Sequence, residues 1–165
     1  MIHSIDTSPL IALSGIHHLD LLHKCCGRVA VPRAVHTEIV EQGAGWTEAR
    51  SAQAEILTGT WLVTVETRDS TTLRSLRKKL GAGESECLEW ARVSGAQAII
   101  DDFTARKEAE RLGIGFFGTL HILAKSKREG HIAAVRPLLT AIRRNGIYYS
   151  DKLVGQYLAA LGESL

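Results

Sequence analysis

Cysteine is scarce in this chain: Cys25, Cys26 and Cys87 are the whole complement. Two of them are adjacent and no CxxC pair occurs, which argues against a disulfide framework and a thiolate zinc site. Reduced thiols suit a cytoplasmic protein. No run approaches the roughly 18 apolar residues of a membrane span, and no charged-then-apolar leader opens the chain, so no membrane role is expected. Neither sign of charge dominates. Lys plus Arg number 20 against 18 Asp plus Glu, so any nucleic-acid binding must come from how the charges are distributed. G-x-x-x-x-G-K-[ST], G-x-S-x-G and HExxH are all missing, which removes a P-loop, a serine hydrolase and a zincin.

What is present is the composition of a globular domain, 45% hydrophobic and 23% charged, with neither internal repeat nor linker. A single domain over residues 1–165 is expected. Short β-prone runs stand at 1–5, "RVAVP" (28–32), "WLVTVE" (61–66, as an edge strand), "QAIID" and "IGFFG". Helical patterns separate them, punctuated by Gly or Pro. This alternation predicts βαβ units and a parallel sheet. The fold class is α/β: a three-layer α/β/α sandwich on a short-stranded parallel sheet, with extra C-terminal helices.

Active sites of open parallel sheets lie beyond the carboxyl ends of the strands. Asp6 and the pair Asp101–Asp102 fall there. Glu38 lies on the helix after the second strand, and Glu84 opens "ESECLEWARVSG". At 100° per residue Glu84 shares a stripe with Cys87, Leu88 and Ala91, while Glu86 is expected on the opposite, solvent side. Each acid also has an ordinary reading: Asp6 and Asp102 as helix caps, Glu38 and Glu84 as solvated or first-turn charges. Together they mean more. Carboxylates about 4 Å apart repel by ~4 kcal/mol per pair at an effective dielectric near 20, so a cluster needs protons or cations. Oxygen-only ligands suit Mg²⁺ or Mn²⁺, ions that serve phosphodiester hydrolysis.

Basic residues cluster as well, at 74–79, 106–111, 125–128 and 143–144. A solvated face is the ordinary reading. Near the acids, Arg106 and Lys107 are the candidates for RNA phosphates. The seven histidines lack zinc spacing, and His17, His18 and His23 are read as surface residues of a helical hairpin.

Four segments carry a resemblance. "IDTSPLIAL", "VPRAVHTEIV", "LGAGESECLEWA" and "AIIDDFTARKEAERLGIGFFGTL" are similar, in order, to the four motifs of PIN domains. The likeness runs from residue 2 to about 155 and is closest to a bacterial and archaeal subgroup opening with DTSPLI. It implies a PIN-like fold and a metal-dependent endoribonuclease using Mg²⁺ or Mn²⁺. It further implies RNA as substrate and the toxin role in a type II toxin–antitoxin pair, with an antitoxin protein as partner. A catalytically weak PIN-like module that binds RNA or protein is the alternative. The helical C-terminal tail is read as core packing, with a homodimer surface or a partner site as further uses. The implied catalytic set is Asp6, Glu38, Glu84, Asp101 and Asp102, with Asp6, Glu84 and Asp101 on the metal. Thr7 and Ser8 would lend hydroxyls around it, and Thr119 would cap the next helix beside it. Adjacent strand-end residues point to opposite faces. Asp101 is therefore assigned as ligand and Asp102 as cap of the helix from Phe103, the reverse being the other option. The chain departs from typical toxins in having Ile99 and Ile100 ahead of the acids, His121 after "GTL", and Glu as third acid.

Overall fold

The computed structural model describes residues 2–164; Met1, included in the first predicted strand, and Leu165 lie outside the described residues. Five strands form one parallel sheet in the order β3-β2-β1-β4-β5. They are β1 (His3–Ile5), β2 (Val29–Pro32), β3 (Leu62–Val65), β4 (Gln97–Ile99) and β5 (Phe116–Phe117). β3 stands at an edge, as "WLVTVE" predicts. Parallel strands need crossovers, and helices supply them. α1 (Thr7–Gly15) and α2 (Asp20–Cys26) lead to β2. α3 (Arg33–His36), its π-helical continuation Thr37–Gln42, a 3₁₀ turn Thr47–Ala49 and α4 (Arg50–Thr58) lead to β3. The chain then returns through α5 (Thr71–Leu76) and α6 (Ala82–Ser94) to β4, on the other side of β1. α7 (Phe103–Arg111) joins β4 to β5, and α8 (Thr119–Arg128), α9 (Arg136–Arg144) and α10 (Asp151–Ala160) complete the molecule.

Side-chain alternation along the strands divides the core in two. Ile5, Val29, Val31 and Ile99 join Leu10, Leu13, Leu123, Ile142 and Leu158 in the larger cluster, under α1, α2, α4 and α8–α10. Ala98 and Ile100 join Leu76, Cys87, Leu88, Ala105 and Ala109 in the smaller one, under α5–α7. Two apolar layers with a sheet between them make the three-layer α/β/α sandwich. The order of connections reverses between β1 and β4, so the switch point of this sheet lies beyond Ile5 and Ile99.

Two sequence expectations are corrected. The helix expected to open at Glu84 starts at Ala82, with Gly83 inside its first turn. Glu86, expected on the solvent side, is only 8% exposed. α6 packs against the sheet and also against α3, α5 and α7, so more than one of its faces is covered. Glu86 accepts the Ala34 amide at 2.9 Å and pairs with Arg77 at 2.9 Å, closing the start of α3.

Candidate active site at the switch point

Asp6 is the first residue past β1, and its amide donates to Ile99 O at 3.1 Å, joining the two central strand ends. Ile5 points into the larger core, so alternation turns Asp6 toward α6. Its carboxyl is buried, 3% exposed. Asp6 stands at the N-cap position of α1 without closing a side-chain capping bond. Burial pushes its carboxyl up to about 7; the Thr7 amide opposes this, and the Glu84 and Glu38 charges push further in the same direction.

Glu38 arrives on the π-helical turn, a wider winding that recurs at functional sites. Its oxygens are held by two other elements: Thr7 Oγ1 donates to Oε2, and the Gly83 amide donates to Oε1 at 3.2 Å. Gly83 lets these carboxylates come close, and a larger residue would press them back. A Cβ would stand 3.0 Å from both Glu38 oxygens and 3.2 Å from Asp6 Oδ1. Two carboxylates, carried past the ends of the neighbouring strands β1 and β2, therefore border one point in front of α6.

Glu84, the next residue, reaches back to accept the Gly81 amide at 3.0 Å, as an N3 glutamate does in a capping box. Burial raises its pKa, the Gly81 amide lowers it, and the Asp102 and Glu38 charges raise it again, for a net upward shift. Four acids thus feel one another: Asp6 at the floor, Glu38 and Glu84 half-buried above it, and Asp102 exposed at the rim.

The adjacent pair separates as strand alternation requires, and both members cap helices. Asp102 Oδ1 accepts the Ala105 amide at 2.8 Å at the start of α7, on the side of Glu84. Asp101 turns to the opposite side. Its Oδ1 accepts the Thr119 amide at 2.9 Å, and its Oδ2 accepts Thr119 Oγ1 at 2.6 Å and Tyr149 OH at 3.0 Å. Burial, reinforced by the Asp101 charge, keeps the Tyr149 phenol protonated and able to donate. Thr119 itself is the first residue of α8 and Gly118 its cap, so the carboxylate of Asp101 serves the helix that Thr119 was expected to cap.

The basic candidates divide too. The Arg106 guanidinium turns inward, donating to Ile100 O through Nε at 3.1 Å and Nη2 at 3.0 Å, and stands 3.6 Å from Asp101 Oδ1. Lys107 remains exposed, with its ammonium 4.5 Å from the centre of the Phe103 ring. Ser8 is exposed and makes none of the hydrogen bonds above. Tyr149 was not singled out from the sequence. It lies 48 residues from Asp101 along the chain, beyond any local pattern.

The fold and this cluster define a class: an open, parallel α/β domain with carboxylates gathered beyond its central strands. A family model described as PIN domain matches residues 2–163, nearly the full length, and the chain belongs to that family. Among solved structures, one similar chain comes from the crystal structure of VapBC2 from Rickettsia felis bound to a DNA fragment from their promoter. It is 14% identical, with a TM-score of 0.48, over 72% of this chain and 98% of that one. No curated protein sequence matches. No helix among the described residues is long and apolar enough to cross a membrane.

Proposed function

We propose that this PIN-domain protein is a divalent-metal-dependent endoribonuclease. The finer reading, membership of the DTSPLI subgroup and the toxin role with an antitoxin partner, belongs to the same proposal. One observation carries it: a fully buried carboxyl, Asp6, sits beside Glu38 and Glu84 with its proton affinity raised to near neutrality. Such a group is costly unless a proton or a cation occupies its surroundings.

The donor set suits Mg²⁺ or Mn²⁺ in chemistry: it is all oxygen, in excess of nearby positive charge, and Gly83 lets the Glu38 and Asp6 oxygens approach one another. Among the described residues, no three His, Cys, Asp or Glu side chains already stand in a metal-holding arrangement. The fit is therefore one of donors and charge rather than of a preformed cage. When bound, the ion supplies an activated water and neutralises charge on the phosphoryl group. Asp6 and Glu84 would hold it. Asp102 would complete the set in preference to Asp101, whose oxygens are engaged by Thr119 and Tyr149. Glu38, fixed by Thr7 and Gly83, would orient the attacking water. Cleavage would leave a 5′-phosphate and a 3′-hydroxyl.

Purified protein should cut short RNA in Mn²⁺, and both EDTA and Asp6→Asn should abolish the cutting. Activity that survives both treatments refutes the mechanism. A second reading, a catalytically weak module that holds RNA or a protein, is favoured by the hydrogen bonds already made by Glu38 and Glu84. Titration separates the two: RNA binding without any Mn²⁺ binding at millimolar concentration selects the weak module.

A further inference from the structure

A second cavity lies at the far end of the sheet from the acids. His3 and Gln97 open β1 and β4, whereas Asp6 and Asp101 lie beyond the ends of those strands. Strand alternation turns His3 to the same face as Ile5. There it joins Gln97, Cys25 of α2, Phe117 of β5, and His121 and Lys125 of α8 around a cavity of about 250 Å³. His3 is the unusual member. Its side chain is 7% exposed, yet Nδ1 meets no hydrogen-bond partner. A buried polar atom left so by the fold is unfavourable, and it marks a place where a ligand belongs. Phe117 stands between two imidazoles, its ring centre 5.3 Å from that of His3 and 5.1 Å from that of His121. Three rings thus make one wall. Lys125 Nζ donates to Cys25 O at 2.8 Å and lies 3.8 Å from Glu129 Oε1, contacts that do not exhaust its three donors. Gly115 makes room for the Gln97 carboxamide, since an added Cβ would stand 3.3 Å from its Nε2.

We propose that this cavity binds a small aromatic monocarboxylate, its carboxylate held by Lys125, Gln97 and His3 and its ring by Phe117 and His121. Charge selects the anion. Among the described residues no carboxylate lines the cavity, and Lys125 is the ammonium that does. Burial holds the His3 and His121 imidazoles below their ordinary value, and the Lys125 charge pushes both the same way. They are therefore neutral at pH 7, each with one N–H to give. One ammonium balances the single charge of a carboxylate better than the nearly double charge of a phosphate ester. Shape selects the ring, because an aromatic wall takes another ring by offset or edge-on contact. Size sets the limit: 250 Å³ has room for about eight waters at liquid density, the scale of one six-membered ring with one carboxylate. The site is separate from the acid cluster and owes nothing to the nuclease reading.

The experiment titrates the full-length, nitrogen-15-labelled protein with benzoate and follows the amide resonances. Shifts at His3, Gln97, Phe117 and Lys125 should saturate with a Kd of about 1 mM. Benzamide, the neutral isostere, should bind at least about 10-fold more weakly, as should acetate, which has no ring, and inorganic phosphate. Lys125→Met should weaken benzoate by about 10-fold or more. Gln97→Glu places a negative charge at an exposed position of the lining and should abolish binding. The amide spectrum of each variant reports its folding, and the exposed Gln97 keeps the test decisive should Lys125→Met fail to fold. The proposal is overturned by the lack of any saturating shift at these residues up to about 20 mM benzoate, or by equal affinity for benzamide, acetate or phosphate. Undiminished benzoate affinity in either folded variant overturns it as well. Cleavage is never measured, so loss of the nuclease reading would leave this result standing, and the reverse holds too.

Discussion

Asp6 carries the greatest electrostatic burden of any side chain at the site, and its titration is open to measurement. The folded-state value is raised from 3.8 to about 7, so the folded chain holds this proton more tightly than the unfolded chain does. The stability gained is complete below the unfolded value and is lost as pH rises through about 7. The shift corresponds to about 4 kcal/mol between the two limits. Between pH 5 and pH 8 the metal-free wild type should therefore lose stability relative to Asp6→Asn, whose amide has no proton to lose. Urea unfolding of both proteins across that range measures the difference. Mn²⁺ at pH 8 should narrow it by stabilising the wild type alone. Parallel pH profiles for the two proteins would show that Asp6 is already ionised at pH 5.

At the scale of elements, close approach is set by two glycines that need no unusual backbone. Gly118 has φ −136°, an extended conformation open to any residue. Its constraint is space: an added Cβ would collide with Asp101 Oδ1 and Arg106 Nη2 and stand 2.8 Å from Ile100 O. Gly118→Ala should destabilise by about 1–3 kcal/mol through forced displacement of the β4–α7 junction against α8, read as a lower melting temperature. Gly83→Ala should cost less stability, since side-chain oxygens can retreat further than a carbonyl. It should still impair cleavage strongly, because those oxygens belong to Glu38 and Asp6. The strand-end acids were legible in the sequence because parallel sheets place their sites by topology, and one strand's alternation was enough to divide Asp101 from Asp102. Which of the two would face Glu84 was not legible, since that depends on which face of the sheet α6 covers. Glu86 was misread for a related reason: a helical wheel supposes one buried stripe, whereas α6 is enclosed by helices on several sides. Arg106 has the spacing of a phosphate contact, but the unpaired carbonyl of Ile100 at the end of β4 claims its guanidinium.

Across the whole molecule, the C-terminal helices reach the site through one phenol and are themselves pinned by one carboxylate. Tyr149 ties the α9–α10 connection to Asp101 at 3.0 Å, while Asn145 Nδ2, at the end of α9, donates to Gly15 O at the far end of α1. The same region is closed at its other end by Glu163. Its Oε1 accepts Lys127 Nζ at 2.7 Å and the Val135 amide at 2.8 Å, and its Oε2 accepts the Arg136 amide at 2.9 Å. Burial alone would raise the Glu163 carboxyl, but the Lys127 ammonium and the two amides outweigh it and hold the pKa below the usual range. Its contribution is therefore present above the ordinary glutamate value and fades as pH falls through the folded one. Glu163→Ala leaves two amides at the start of α9 and the Lys127 ammonium without this partner, which should cost about 2 kcal/mol at neutral pH. For a chain of this size that is a fall of roughly 4–8 °C in melting temperature. The deficit should shrink in acid, where the wild type loses the same interaction. Should the melting temperature of Glu163→Ala match that of the wild type at pH 7, the C-terminal helices are fastened by their apolar contacts alone, and the three hydrogen bonds to Glu163 only occupy its oxygens.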